Sequence, residues 1–195
     1  MKDNDVLYNN NLHEVFKKSV RLLMKEAAED LEVGKHVRGL VASIISTEAK
    51  YEFAIEVALD ATMQYVVVDD LADAKYLIDV MKRKEIGLVT FLPVSFIKPK
   101  ENTPEILEAK NEMGALGLAT ELVIYDKYFE PVVSHLLGNI LICNDTTSAF
   151  AIARKYPHRF RIVTLDGCSI YVNGNISGGL RPANAPHLLS HKDNN

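Results

Sequence analysis

The stretch VVVDD at residues 66–70 recurs later in the chain as LICND at residues 141–145. Each stretch is a short apolar run that ends in Asp and precedes a helix pattern rich in small residues, which predicts a buried strand followed by a helix. Three other pairs recur in the same order: GLVA at 39–42 with GLAT at 117–120, KY at 50–51 with 127–128, and VTF at 89–91 with VTL at 163–165. The spacing within the pairs drifts only from 78 to 74 residues. Such fixed spacing predicts one supersecondary unit that is present twice.

The composition is that of a globular protein, with 48% apolar and 25% charged residues in a chain of 195. No apolar run reaches the roughly 18 residues of a membrane span, and the first residues, MKDND, do not resemble a secretory signal. We therefore expect a cytoplasmic protein with no membrane partner. Both cysteines, Cys143 and Cys168, are expected to be reduced and structural, because no metal-binding or redox spacing relates them.

Periodicity predicts alternating helices and strands, and hence a mixed α/β fold in which small sheets are flanked by helices. Mixed three- and four-residue apolar spacing predicts a first helix over residues 12–31. The remaining predicted helices are 48–60, one that begins near Asp70 or Asp73, 127–137 and 148–155, and the predicted strands are 37–45, 65–68, 88–92, 117–123, 140–143, 160–165 and 169–172. Residues 98–111 are polar and contain Pro99 and Pro104, which indicates a connector between the two halves.

Four carboxylates follow predicted strands, where open α/β sheets place ligands and catalytic groups: Asp69, Asp70, Asp145 and Asp166. One hypothesis is therefore a small ligand-binding domain or enzyme. The alternative is that Asp70 or Asp73, and Asp145 or Ser148, cap the helices that follow. We favour capping, because the same residue types recur at both helix starts.

Other catalytic signals are weak. The chain has no glycine-rich phosphate loop. His187 and His191 have a helical i, i+4 spacing without a third ligand, and no recognisable base accompanies Cys168 as a nucleophile. We therefore predict no catalytic residue, no metal and no cofactor.

Basic residues form a candidate contact to DNA phosphates. The net charge of −4 argues against extensive binding of nucleic acid over the whole surface. A local basic face could still bind DNA weakly and without sequence preference, or it could be an ordinary solvated surface. The candidate residues are Lys98, Lys100, Arg154, Lys155, Arg159 and Arg161.

The second half ends in a glycine-rich strip that the first half lacks. Asp166-Gly167 and Asn173-Gly174 are turn signals, so residues 169–172 can return as a hairpin strand. Gly174, Gly178 and Gly179 have no Cβ, which would allow a strand edge to pair with another chain. A tight turn and a hinge are the simpler explanations.

The run RFRIVTLDG at residues 159–167, followed by GNISGG at 174–179, resembles the end of the hinge domain of SMC chromosome-maintenance proteins. Further motifs follow the same pattern in order over about residues 34–180: KYE at 50–52, EVAL at 56–59, TFLP at 90–93, IKP at 97–99 and LLGN at 136–139. The chain departs from the family in having Asp60-Ala61 after the first helix, and Asn173 in place of a common proline.

The resemblance implies a dimerisation module in the middle of a long SMC chain that acts in chromosome condensation and segregation. It implies two pseudo-twofold-related α/β subdomains, coiled-coil arms, and ATPase heads in separate segments, so that the hinge itself is not an enzyme. The absence of a long insertion favours a prokaryotic homodimer, with weak, non-specific DNA contact possible and a nucleoid-associated location in the cytoplasm.

The same resemblance assigns the parts of the chain. We expect an arm remnant at 1–33, hinge subdomain I at 34–100, a connector at 101–114, subdomain II at 115–180, and an arm remnant or tail at 181–195. The expected dimer contacts are an edge of the other subdomain together with Ile170, Val172, Gly174, Ile176, Gly178 and Gly179.

Overall fold

The computed structural model describes residues 16–185 and 187–189 of the chain. Two helices open the described chain, and strands and helices then alternate up to residue 98, with a 3₁₀ helix at Asp60–Gln64. The helices are α1 Lys18–Glu29, α2 Leu31–Gly34, α3 Val41–Ile44, α4 Ala49–Leu59 and α5 Leu71–Arg83, and the strands are β1 Gly39–Leu40, β2 Ser46–Thr47, β3 Val66–Val68 and β4 Phe91–Pro93.

The rest of the described chain also contains both helices and strands, ends in three consecutive strands, and has a 3₁₀ helix at Lys127–Phe129. Its helices are α6 Pro104–Ala109, α7 Glu130–Leu137 and α8 Thr146–Lys155, and its strands are β5 Ala115–Leu118, β6 Val123–Ile124, β7 Ile140–Cys143, β8 Arg161–Thr164, β9 Ser169–Ile170 and β10 Ile176–Ser177. The predicted fold class, mixed α/β with small sheets and flanking helices, is confirmed.

Several predicted boundaries need correction. The strand predicted at 37–45 is only two residues long, because α3 follows β1 directly, and the strand predicted at 88–92 is β4, which begins at Phe91. The helix predicted at 12–31 is α1 followed by α2, with residues 12–15 outside the described part. The predicted connector contains α6, whose Ile106 and Ala109 are fully buried.

The chain divides into two compact units. In the first, which comprises residues 16–44 and 61–98 of the described chain, a three-stranded sheet has the order β1-β3-β4. β3 is antiparallel to β1 and parallel to β4, and all three of its valines are buried. A strand buried on both faces is apolar at successive positions, which explains the unbroken VVV run.

The second unit comprises residues 45–60 and the chain from Pro99 onward. Its main sheet has five strands in the order β10-β9-β8-β7-β5, and β2 forms a separate antiparallel pair with β6. The central strand β7 is buried at all four positions. Side chains from α6, β5, β7, α8, β8 and the loop between α8 and β8 pack into one core: Ile106, Ala109, Leu118, Leu141, Cys143, Ala149, Ile152, Tyr156, Phe160 and Ile162.

Residues 45–60, which carry β2 and α4, therefore belong to the second unit although they lie within the predicted subdomain 34–100. The compact units and the repeated sequence segments thus have different limits. The reason is packing: β2 pairs with β6, and α4 lies against α7 and β8.

The strand registers confirm the sequence duplication. Gly39 pairs with Val67 in the first unit as Gly117 pairs with Ile142 in the second, and both glycines have φ near +150°, where glycine is favoured. In the parallel pairs, Val66 is opposite Phe91 and Leu141 is opposite Ile162. The counterpart of Phe91 is therefore Ile162, three residues before the Leu165 that the sequence alignment predicted.

The capping interpretation of the repeated aspartates is also confirmed. Asp70 has φ −146° and ψ 168°, and Asp145 has φ −146° and ψ 169°. Asp70 forms a capping box with Asp73, and the Asp145 carboxylate accepts from Ser148 N at 2.7 Å. These bonds satisfy N–H groups that the first turn of a helix leaves unpaired.

Candidate functional site

The chain after β8 forms two consecutive hairpins that extend the five-stranded sheet. β9 is antiparallel to β8, with Ile170 opposite Ile162, and β10 is antiparallel to β9, with Ile176 opposite Ile170. We call residues 169–179 the terminal strip. In the first unit, the sheet ends at β4, the counterpart of β8, and has no strand corresponding to β9 or β10 in the described chain.

The turn between β8 and β9 is held by local hydrogen bonds. Thr164 Oγ1 donates to Asp166 Oδ1 and accepts from Cys168 N at 3.0 Å. Gly167 has φ +89°, and a Cβ built there would lie 2.5 Å from Cε1 of Phe53 on α4. Glycine is therefore required at this turn by both its backbone conformation and the adjacent ring.

The turn between β9 and β10 is similarly specified. Gly174 N donates to Tyr171 O at 3.0 Å, and Asn173 Oδ1 accepts from Asn175 N at 3.1 Å. His158 Nδ1 donates to Val172 O at 2.7 Å. These bonds fix the tight-turn geometry predicted for Asn173-Gly174.

The outer side of β10 is an open sheet edge within the described chain. Ile176 is 55% exposed, and Val172, Gly178 and Gly179 are also exposed. A Cβ at Gly178 would meet Cys168 atoms at ordinary distances of 3.5–3.8 Å, whereas Gly179 has φ +143° and open space around it. Ile170 differs from the others, because it is partly buried against the core of the second unit.

Arg161, a predicted DNA contact, has partners inside the protein. Its guanidinium donates to the carbonyls of Ala58 at 3.0 Å and Val57 at 3.1 Å, and to Ser169 Oγ at 2.9 Å. It also lies 4.5 Å above the ring of Tyr171. A cation at the last carbonyls of α4 is favourable for the helix dipole, and this contact accounts for Arg161 without DNA.

The other basic candidates are exposed: Lys98, Lys100, Arg154, Lys155 and Arg159. Lys98 belongs to the first unit and the others to the second. Lys155 forms an ion pair with Glu112, which raises the pKa of the lysine and lowers that of the glutamate. Arg154 and Arg159 lie at the end of α8 and in the loop that leads to β8.

The carboxylates proposed as a ligand site are bonded to protein groups. Asp69 accepts two hydrogen bonds from Arg38, at 2.7 and 2.5 Å, while Asp166 serves the β8–β9 turn. Since Asp70 and Asp145 are helix caps, all four have structural roles. The hypothesis of a ligand-binding domain or enzyme built on them therefore loses its support.

Both cysteines are buried and unpaired. Burial raises the pKa of the Cys143 thiol to about 12 and also raises that of Cys168, so neither is an activated thiolate. No group of three or more potential metal ligands occurs among residues 16–185 and 187–189. Of the predicted histidine pair, His191 lies outside the described residues.

None of the helices in the described part of the chain has the length and apolar character needed to cross a bilayer.

Comparison with known proteins identifies the fold. Residues 34–153 match the family model of the SMC proteins flexible hinge domain. The chain belongs to the SMC hinge family. It is 40% identical over 157 residues to the chromosome partition protein Smc of Bacillus subtilis (strain 168) and 38% identical over 152 residues to that of Halothermothrix orenii. These alignments cover 80% and 78% of this chain but only 13% of each relative, so the chain spans a small part of the curated relatives' length.

Solved SMC hinges have the same fold. An asymmetric dimer of the Geobacillus stearothermophilus SMC hinge domain matches with a TM-score of 0.79 and 29% identity, over 92% of this chain and 71% of that one. The Pyrococcus furiosus SMC protein hinge domain matches with a TM-score of 0.64 and 26% identity, over 86% of this chain and 91% of that one. The hinge assignment made from sequence motifs is therefore confirmed.

Sequence reasoning missed one pair of residues in this hinge. Glu52 and Glu56 on α4 are buried, whereas charged side chains in a helix are ordinarily solvent-exposed, so no signal in the sequence marked them.

Proposed function

We propose that this chain is the hinge of a chromosome partition SMC protein and joins two SMC chains into a homodimer. The observation that carries the proposal is the open edge of β10, which follows a duplicated fold and ends in Gly178-Gly179. An exposed strand edge presents unpaired N–H and C=O groups, which another strand can satisfy. That a related hinge crystallised as an asymmetric dimer supports the same function.

The repeat suggests where the partner chain would bind. β8 has β9 along its outer edge, whereas its counterpart β4 has β3 on one side only within the described chain. Leu88, just before β4, is 94% exposed. In the proposed dimer, β10 of each chain pairs with the β4 edge of its partner, so two equivalent contacts close the assembly.

Sedimentation velocity over a range of micromolar concentrations tests the homodimer directly. We expect a concentration-dependent shift from monomer to dimer, and a chain that stays monomeric throughout would contradict the proposal. A stable interface should bury at least about 1,000 Å² in total.

Gly178 offers a sharper test than its neighbour. Because the φ of Gly178 is ordinary and an added Cβ meets only van der Waals contacts, Gly178→Ala, Gly178→Val and Gly178→Phe should fold. If an opposing backbone passes close to this position, dimer affinity should fall progressively with side-chain size. Equal dimer affinity for all three Gly178 variants and the wild type would show that Gly178 does not lie in the interface. Gly179 is less suitable, since its positive φ makes any substitution strained.

We further propose that the hinge contacts DNA weakly through exposed cations, and that the full protein acts at the nucleoid in the cytoplasm. This proposal is supported by the exposure of five basic residues: Lys98, Lys100, Arg154, Lys155 and Arg159. Arg161 is not included, because its guanidinium is hydrogen-bonded to α4. Fluorescence anisotropy with duplex DNA should show affinity that falls steeply with salt and weakens in Arg154→Ala/Arg159→Ala. Binding that is unchanged at high salt would argue against phosphate contacts.

A further inference from the structure

Two carboxylates are buried on α4, a helix whose neighbours include the β8–β9 turn. Glu52 is only 2% exposed and Glu56 7%, and their i, i+4 spacing places them on one face of the helix. Burial of charged groups is costly unless hydrogen bonds or opposite charges compensate for the lost water. We call this pair the acidic anchor.

Partners of the acidic anchor come from the chain that leaves the terminal strip. Glu56 Oε1 accepts from Leu188 N at 2.8 Å, and Glu56 Oε2 lies 3.6 Å from Arg181 Nη2. Glu52 Oε1 accepts from His187 Nδ1 at 3.1 Å. We call residues 181–185 and 187–189 the exit segment, and its Leu189 is almost fully buried.

Phe53, between the two glutamates, connects both ends of the strip to the same helix. One part of its ring faces Gly167 in the turn before β9, and the Arg181 guanidinium carbon lies 4.3 Å from the ring centroid. α4 thus contacts the chain immediately before β9 and the chain shortly after β10.

The electrostatics of Glu56 fit this arrangement. Burial raises the pKa of its carboxyl, while the N–H of Leu188 favours the charged form, the nearby Glu52 disfavours it, and Arg181 favours it. Among the described residues, the charged groups that face Glu56 are Glu52 on α4 and Arg181 on the exit segment, and His187 is bonded to Glu52. A seated exit segment supplies the groups that offset the cost of burying this carboxylate.

The last strand of the terminal strip has few partners. Within the described chain, β10 is two residues long, both exposed, and pairs only with β9. A strand that must become ordered on association loses affinity through conformational entropy, and restraint of its ends in the free protein reduces that loss.

We propose that Glu52 and Glu56 are positioning residues that seat the exit segment on α4 and thereby preorganise β10 for dimer formation. This inference rests on the proposed homodimer and adds to it a control of affinity from outside the interface. Release of the exit segment from α4 weakens the dimer without changing any residue of the strip.

The test compares Glu56→Ala and Arg181→Ala with a matched control, Glu48→Ala. Glu48 immediately precedes α4, is exposed, and makes no side-chain cap. Amide hydrogen exchange at Leu188, Leu189, Ile176 and Ser177 reports seating of the segment and order in the strip, and sedimentation velocity reports the dimer dissociation constant.

We expect Glu56→Ala to speed exchange at Leu188 about tenfold or more, since it removes a charge-assisted acceptor, and to weaken the dimer at least about fivefold. Arg181→Ala should act in the same direction and leaves α4 intact, so it decides the matter if Glu56→Ala fails to fold. Glu48→Ala should alter neither measurement.

Unchanged exchange at Leu188 in Glu56→Ala and Arg181→Ala would overturn the anchor. Faster exchange with an unchanged dissociation constant would overturn its coupling to the dimer. A wild-type chain that never dimerises would instead refute the proposed function, and the exchange measurements would still decide whether the anchor exists.

Discussion

β4 in the first unit and β8 in the second are counterparts with different surroundings. Each runs parallel to a fully buried strand, in the same register, and each pair is linked through a helix that begins at a capping Asp. β8, however, is followed by β9 and β10, while β4 ends its sheet in the described chain. The features that the two units share form the two sheets. The features that differ leave, among the described strands, an open edge at β4 in the first unit and at β10 in the second. In the proposed dimer, fold and association are therefore carried by separable sets of residues.

The largest expected effect concerns the shared core. Leu141→Ala in β7 should lower the free energy of unfolding by about 2–5 kcal/mol, because it removes a fully buried side chain from a packed sheet. Its counterpart Val66→Ala in β3 removes fewer side-chain carbon atoms and should cost less. Urea denaturation measures both, and a Leu141→Ala cost below that of Val66→Ala would contradict the equivalence of the two strands.

The next effect concerns the edge of the second unit alone. Ile176→Lys should leave the free energy of unfolding nearly unchanged, because the side chain is 55% exposed, but weaken the dimer about tenfold or more, roughly 1.4 kcal/mol. Met113→Lys, at a residue that is 91% exposed in the same unit, is the matched control. Equal dimer affinity of the two variants, by sedimentation, would exclude Ile176 from the interface.

A smaller effect on association is expected at the edge of the first unit. Leu88→Lys should weaken the dimer about fivefold, or roughly 1 kcal/mol, if the β4 edge receives β10 of the partner chain. Combined with Ile176→Lys, it should give less than the product of the two effects, since both positions would serve one contact. If sedimentation showed that the two substitutions weaken the dimer independently, so that their free-energy effects add in full, the two edges would not form one contact.

The helix caps should respond in stability only. Asp70→Ala removes the capping box at α5 and should reduce the free energy of unfolding by about 1 kcal/mol. Asp79→Ala, on the same helix but away from its start, leaves the cap in place and serves as the control. The dimer affinity of folded Asp70→Ala should match that of the wild type. A marked loss of dimer affinity would show that the cap also contributes to association.

The cap of α8 should show the smallest effect and a distinct pH dependence. Hydrogen bonds from Ser148 lower the pKa of Asp145, so its carboxylate stabilises the fold above the unfolded-state pKa, and this stabilisation is lost as pH falls through the lowered folded-state pKa. The stability difference between wild type and Asp145→Ala should therefore shrink on acidification. A difference that grows toward acid, in urea titrations at several pH values, would be contrary to this prediction.

Much of this comparison was predictable from sequence, because it depends on local patterns. The apolar runs of β3 and β7 and the Asp that follows each are recognisable without a structure, as are the turn signals Asp166-Gly167 and Asn173-Gly174. Helix α6 was missed, since only Ile106 and Ala109 mark its buried face within a polar stretch. Its Pro104 was interpreted as part of a connector, although proline is also common in the first turn of a helix.

The role of Arg161 could not be predicted for a different reason. Its sequence neighbourhood is basic, which indicates a phosphate-binding surface, but its acceptors are backbone carbonyls of α4 more than 100 positions away. The burial of Glu52 and Glu56 likewise depends on a segment far along the chain. Residues of this kind acquire their function from tertiary packing, which no local pattern encodes.

The membership of α4 in the second unit has a consequence for protein synthesis. Arg161 follows Ala58 by 103 residues, so at typical translation rates roughly 5–20 s pass between the appearance of the helix and that of its guanidinium partner. During that time the nascent chain contains α4 without most of the sheet against which it packs, and pairings of such long range are slow to form. Completion of the second unit must therefore await synthesis of β8, and translation of residues 99–195 as a separate polypeptide would omit one of the unit's own helices.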